Sequence, residues 1–232
     1  MATFVLVRGF WLDPSSWRHV VPLLEEPGHR VLLASLPGTG PDEDRAGVRL
    51  ADHVAAVVDV VRAAGEPVVL VGSSFAGRLV QVVAEEHPEL VRAAVFVDSS
   101  PMPLDPAGSD QPAGDEVPFS WDELSEPEQR DLSPELRAEI EQSAVPYPAQ
   151  VARDGWDLSA GRRFAVPALV VASGFDEAQL ETWRREYPAV AAELDSYDDL
   201  EIAWLPTSHW PHLTRPDDLA QILLDVVAEL DA

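Results

Sequence analysis

The chain has 232 residues, 46% of them hydrophobic, which suits one ordinary domain or one domain carrying an insertion. Its 41 acidic residues against 16 basic ones give a formal net charge of -25, a surface that repels nucleic acid and anionic membranes. Cysteine and lysine are both missing, which excludes disulfides, thiolate nucleophiles, Cys-based metal sites, Schiff-base lysines and P-loops.

The N-terminal stretch "TFVLV" (3–7) reads as a strand that begins at once, with no basic region or cleavage site before it, so no signal peptide is expected and the cytoplasm is the default location. A helix is expected near Ser15 to Leu24, then a second strand in "HRVLLASL" (29–36), closed by Pro37-Gly38. Val54, Val57, Val58 and Val61 fall at i, i+3, i+4, i+7 and predict a helix over 50–64. "VVLVG" (68–72), "AAVFVDSS" (93–100), "ALVVAS" (168–173) and "EIAWLPT" (201–207) complete the strands, and a last helix starts at Pro216, a favoured first helical residue. That helix puts Leu219, Ile222, Leu223, Val226 and Leu230 on one face. The strands are continuous apolar runs, which predicts an α/β fold: a mostly parallel sheet of about six strands with helices on both faces. Residues 101–165 break this rhythm. They are rich in Pro, Asp, Glu and Ser, yet hold Phe119, Trp121, Tyr147 and Trp156 and a helical pattern over Pro134 to Ser143. A partly helical cap inserted into a core of residues 1–100 and 166–232 is expected. No run is apolar for long enough to span a membrane.

The segment "VVLVGSSFAGRLVQVVAEE" turns from strand into helix with two serines at the corner, the setting of a nucleophile elbow. Residues two before and two after such a nucleophile must be small, because strand and helix nearly touch there. For Ser73 they are Val71 and Phe75; for Ser74 they are Gly72 and Ala76. Ser74 is therefore the candidate. A serine needs a base, and of six histidines His209 alone follows a strand and precedes the final helix. Loops after parallel strands gather on one edge of the sheet, so His209 can meet Ser74 there. His212 lies three residues on, but no third ligand cluster accompanies it, and neither a metal nor another cofactor is expected.

"GSSFAG", "SHWPHLTRPDDLA" and the strand order resemble the α/β-hydrolase superfamily, in particular its small bacterial esterase-like members; the N-terminal "FVLVRGFWLDPSSWRHVVPLLEEPGHRVLLASLPGTG" is similar as well. The resemblance implies a fold lacking that family's first two strands, and a serine hydrolase acting on a small-molecule ester. It also implies an oxyanion hole made by the backbone amides of Phe10 and Phe75. The triad acid would be Asp98, at the end of the fourth strand, or else Glu177 or Asp176 in "ASGFDEAQ". Phe10, Trp11, Phe75 and Trp210 would line an apolar pocket under the cap, or simply pack in the core. Arg8 stands where such proteins usually carry histidine. It would bind a substrate carboxylate or, as the favoured reading, form an internal ion pair. A non-hydrolytic biosynthetic enzyme and a ligand-binding protein that retains the triad are the competing functions.

Overall fold

The computed structural model describes residues 1–110 and 112–232. In chain order the elements are β1 (Thr3–Val7), α1 (Val21–Glu25), β2 (Arg30–Leu33), α2 (Leu50–Ala64), β3 (Val68–Ser73), α3 (Ala76–Glu86), β4 (Val91–Val97), β5 (Glu116–Val117), α4 (Pro134–Ser143), β6 (Tyr147–Pro148), α5 (Ala149–Arg153), β7 (Ala168–Ala172), α6 (Glu177–Glu186), α7 (Pro188–Asp195), β8 (Leu200–Trp204), α8 (Pro211–Thr214) and α9 (Pro216–Leu230). Six strands form one sheet in the order β2-β1-β3-β4-β7-β8, and every neighbouring pair is parallel. The valine-rich central strands are buried on both faces, while the edge strands β2 and β8 are half-exposed.

Strand side chains alternate between two cores. Val5, Val7, Val68, Leu70, Ala94 and Phe96 pack with α2 and α3 on one face. Phe4, Leu6, Val69, Val71, Val95 and Val97 pack with α1 and α9 on the other. The expected face of α9 is rotated slightly: Leu219, Ala220, Leu223 and Val227 are fully buried, and Ile222, Val226 and Leu230 flank them.

The helix expected near Ser15 to Leu24 is not continuous. A 3-10 turn over Pro14–Trp17 is followed by the five-residue α1, because Pro22 has no N–H to return to the preceding turn. Between β4 and β7 the chain leaves the sheet. It forms α4 and α5, as well as the two-residue antiparallel pair β5–β6, too short to carry an alternating pattern. Trp11 anchors this segment to the sheet. Its Nε1–H donates to the carbonyl of Val117 at 3.2 Å, and its own carbonyl accepts from the amide of Val145 at 2.8 Å. No helix is long and apolar enough to cross a membrane among the described residues.

Candidate active site

Ser74 sits in the turn that joins β3 to α3, with φ of 56°, in the left-handed region. Its amide donates to the carbonyl of Val97 at 2.8 Å, and its carbonyl accepts from the amide of Gly77 at 2.9 Å. The turn explains the small residues around it. A Cβ at Gly72 would lie 2.6 Å from both the Ala76 carbonyl oxygen and Val80 Cγ2, and one at Gly77 would lie 2.3 Å from Ser99 Oγ. Ser73 is the last residue of β3; it is fully buried and its hydroxyl has no partner.

Ser74 Oγ is 2.7 Å from His209 Nε2, and His209 Nδ1 is 2.6 Å from Asp98 Oδ2. An ionised carboxylate can only accept, so Nδ1 carries the proton, and Nε2 is left to accept from the Ser74 hydroxyl. Asp98 follows β4 directly, at φ of 43°, and its other oxygen Oδ1 accepts from the amides of Ser173 (2.9 Å) and Gly174 (2.6 Å) just after β7. A Cβ at Gly174 would lie 2.8 Å from Asp98 Oδ2, so this loop closes over the carboxylate only because residue 174 has no side chain. Asp176 and Glu177 are elsewhere. Asp176 accepts from the amide of Gln179 at 2.9 Å as the N-cap of α6, and Glu177, the first residue of that helix, is exposed. The three carboxylates left open by sequence are thereby placed: Asp98 meets the histidine, and the other two face solvent.

A second carboxylate reaches His209 that sequence reasoning missed. Glu128, in the segment between β4 and β7, places Oε1 3.5 Å from His209 Nδ1, and its carbonyl accepts from the amide of His209 at 2.8 Å. It lies in an irregular acidic stretch with no periodicity, so nothing in the sequence singles it out. Asp98, Glu128 and His209 are the one group of metal-ligating residue types clustered among the described residues. The Nδ1–Oδ2 separation of 2.6 Å fits a shared proton. Two ligands of a tetrahedral zinc at roughly 2.1 Å would stand about 3.4 Å apart. His212 is fully buried instead, stacked on Trp17 at 4.5 Å, with both ring nitrogens unpartnered; burial pushes its pKa down to about 3.

The loop after β1 approaches the serine closely. A Cβ at Gly9 would lie 2.8 Å from both Ser73 O and Ser74 Cβ. Among the described residues the amides of Phe10 and Phe75 donate to no protein acceptor. Their rings stack at 4.3 Å, and Tyr147 lies over Phe10 at 3.8 Å. Trp11 and Trp210 are buried with Leu12, Leu124 and Ile140, where they bind the inserted segment to the sheet.

Arg8 does not form the favoured internal ion pair. It is 2% exposed, no carboxylate among the described residues comes within ion-pair distance, and its Nε has no partner. Its one hydrogen bond runs from Nη1 to the carbonyl of Gly9 at 3.2 Å. Burial lowers its pKa, against the more distant pull of Tyr147, Asp13 and Glu43. Close by, His53 is held neutral, with its pKa lowered by burial to about 4. Its Nε2–H donates to the Pro37 carbonyl, and its Nδ1 accepts from the Tyr147 hydroxyl.

A parallel sheet with a serine, a histidine and a carboxylate gathered beyond the C-terminal ends of β3, β8 and β4 defines the class. The chain matches the model of the Alpha/beta hydrolase family over residues 4–222, and it belongs to that family. In sequence it is 33% identical over 102 residues to the carbendazim hydrolyzing esterase of Nocardioides sp., a match that covers 43% of this chain and 42% of that protein. It is 34% identical over 98 residues to salicylic acid-binding protein 2 of Nicotiana tabacum, covering 40% of this chain and 38% of the relative. Those matches span well under half the length of these curated relatives. Among solved structures, an extracellular alpha/beta-hydrolase from a Paenibacillus species superposes with a TM-score of 0.77 at 21% identity, covering 97% of this chain and 98% of that one. Tomato methylketone synthase I gives 0.76 at 17% identity, covering 99% and 98%.

Proposed function

We propose that the protein is a serine hydrolase that cleaves a small ester or related acyl substrate through an acyl-enzyme. The observation that carries this reading is the unbroken hydrogen-bonded line from Ser74 Oγ through His209 to Asp98, at 2.7 and 2.6 Å. His209 Nε2 takes the hydroxyl proton as Ser74 Oγ bonds to the substrate carbonyl carbon, whose π electrons move to oxygen. The oxyanion is received by the amides of Phe10 and Phe75. Asp98 holds the imidazole in the right tautomer and stabilises its charged form. Collapse of the adduct breaks the bond to the alcohol oxygen, which takes the proton from His209. Water then repeats the sequence on the acyl-enzyme, regenerates Ser74 and releases the acid. The fold likeness and the relatives named esterase support the same class.

The test is a fluorophosphonate probe followed by peptide mapping. The label is expected on Ser74, and Ser74→Ala is expected to lose both the label and ester turnover while Ser73→Ala keeps most of each. A dead Ser73→Ala protein beside an active Ser74→Ala protein would overturn the assignment. Chelators are expected to leave turnover unchanged. A second reading, a non-hydrolytic biosynthetic enzyme, draws on the relatives named norfluorocurarine synthase 1, which are 35% identical over 100 residues. It predicts a folded, probe-reactive protein that hydrolyses no model ester of any acyl length.

A further inference from the structure

A cavity of about 700 Å³ borders the site at Asp98 and Glu128, and its walls include neither Ser74 nor His209. Its apolar walls come from the loop after β4 (Met102), the turn after β7 (Phe175), and α6 with the residue that follows it (Trp183, Tyr187). The rings of Phe175 and Trp183 meet at 5.1 Å and 51°. Its charged lining is entirely carboxylate, from Asp98 and Glu128; no lysine or arginine faces it. Asp98 is fully engaged by His209 and two backbone amides. Glu128 is not. Its Oε2 accepts from the amide and hydroxyl of Ser125 at 2.7 and 2.6 Å, whereas Oε1 has no hydrogen-bond donor among the described residues and faces an imidazole N–H already directed at Asp98.

We propose that this cavity is a second ligand site, for a small organic cation: an ammonium group carried on an apolar body. A carboxylate with one oxygen lacking a donor among the described residues, in a cavity whose walls also hold three aromatic rings, attracts a weakly hydrated cation through charge and through the ring faces. An anion would meet only like charge, and a neutral ligand would gain burial alone. Resting on the hydrolase reading above, occupancy also reaches the chemistry. A cation at Glu128 competes with the imidazolium of His209 for the field of the same two carboxylates. Turnover slows while substrate still reaches Ser74.

The experiment is calorimetric titration of the full chain with (4-hydroxymethylphenyl)trimethylammonium and its uncharged isostere 4-tert-butylbenzyl alcohol. The ammonium is expected to bind at least about tenfold tighter, roughly 1.4 kcal/mol. Glu128→Gln is expected to remove that preference, and Trp183→Leu to weaken both probes, with each variant shown folded by its melting temperature. Equal binding of the two probes, or a preference that survives Glu128→Gln, overturns the proposal. Titration of protein already labelled at Ser74 is expected to give the same affinity; lost binding would make the cavity part of the substrate pocket and overturn a second site. In steady-state assays with a neutral ester the ammonium is expected to lower kcat and leave KM unchanged, and a purely competitive pattern counts against it. The titrations of unlabelled protein need no turnover. A failure of the hydrolase reading is therefore seen separately, as absent labelling and absent hydrolysis.

Discussion

The protein holds two clusters of the same composition, a basic side chain between two carboxylates, and they are built in opposite ways. In the first, Arg163 lies between Glu85 and Glu193, at 2.9 and 2.6 Å, all three with under a tenth of their side-chain surface exposed. Each partner is tied again. Arg163 Nη1 donates to the Leu158 carbonyl, Glu85 accepts from the amide of Gly161, and Glu193 accepts from Gln81. Burial works against the guanidinium charge, but the hydrogen bonds to Glu193 and Glu85 outweigh it and hold its pKa above the ordinary value. In the second cluster His209 lies between Asp98 and Glu128, at unequal distances of 2.6 and 3.5 Å, with its remaining nitrogen turned to Ser74. The first base is permanently charged and closed on all sides; it joins α3, α7 and the turn before β7. The second can exchange a proton and keeps one face for another group. Closure makes a buried ionic cluster a scaffold, and an open member suits it to the catalytic role proposed for the second.

The sharpest break comes at Asp98. Asp98→Asn removes the acceptor that sets the imidazole tautomer, and turnover is expected to fall by about 10⁴, the size seen for that change in a serine protease. Circular dichroism should show the fold retained. The opposite result is expected from Arg163→Met, which leaves Glu85 and Glu193 buried without their counter-charge. Urea denaturation should report a loss of about 3–5 kcal/mol, while kcat per folded molecule stays put. If Arg163→Met cut kcat and spared stability, the contrast would collapse.

His212 extends the comparison, as a buried base with no carboxylate at all. Its folded pKa, about 3, lies below the ordinary value of 6.5. As pH falls below about 6.5 the unfolded chain therefore takes up a proton that the folded one refuses. The stability is complete above that pH and drains away as pH falls toward the folded value. Between pH 7 and 5, His212→Leu should lose about 2 kcal/mol less stability than the parent protein. His53, shifted the same way, stays in both proteins and leaves some slope in each. The smallest effects are expected at Asp176→Asn and Glu177→Gln, whose carboxylates never approach His209. Both should stay within about tenfold of the parent in kcat/KM, or 1.4 kcal/mol in barrier. A dead Glu177→Gln protein beside an active Asp98→Asn protein would move the acid to α6.

Much of this is legible in the sequence. Valine runs without alternation imply strands covered on both faces, and the sheet is parallel and covered so. Ser74 stood out from Ser73 by the size of its neighbours, a rule that the contacts at Gly72 and Gly77 account for. His209 and Ser74 meet because parallel strands deliver their following loops to one edge. The acid stayed open among Asp98, Asp176 and Glu177, because spacing along the chain does not say which carboxylate turns inward. That choice rests on the amides of Ser173 and Gly174, which converge on Asp98 from another strand. Glu128 was out of reach for the same reason. An isolated buried charge is costly, which is why the sequence suggests a partner acid for Arg8, and none of the described carboxylates comes within ion-pair distance of it. The apolar pattern over Ser15 to Leu24 suggests one helix, and Pro22, which removes a helix-interior donor, divides it.

Trp11, Ser74 and Asp98 are three of the four described non-glycine residues with positive φ, and two of them, Ser74 and Asp98, belong to the proposed reaction centre. Each left-handed conformation costs an L-residue on the order of 1 kcal/mol that glycine would be spared. The molecule thus has a built-in conflict between heat tolerance and purpose. A laboratory population selected only for survival at high temperature gains by placing glycine at position 74, and that gain removes the proposed attacking hydroxyl; at Trp11 and Asp98 the lost packing and hydrogen bonds outweigh the relief. Thermal selection of this protein needs an activity screen in every round, because one route to robustness runs through the proposed nucleophile.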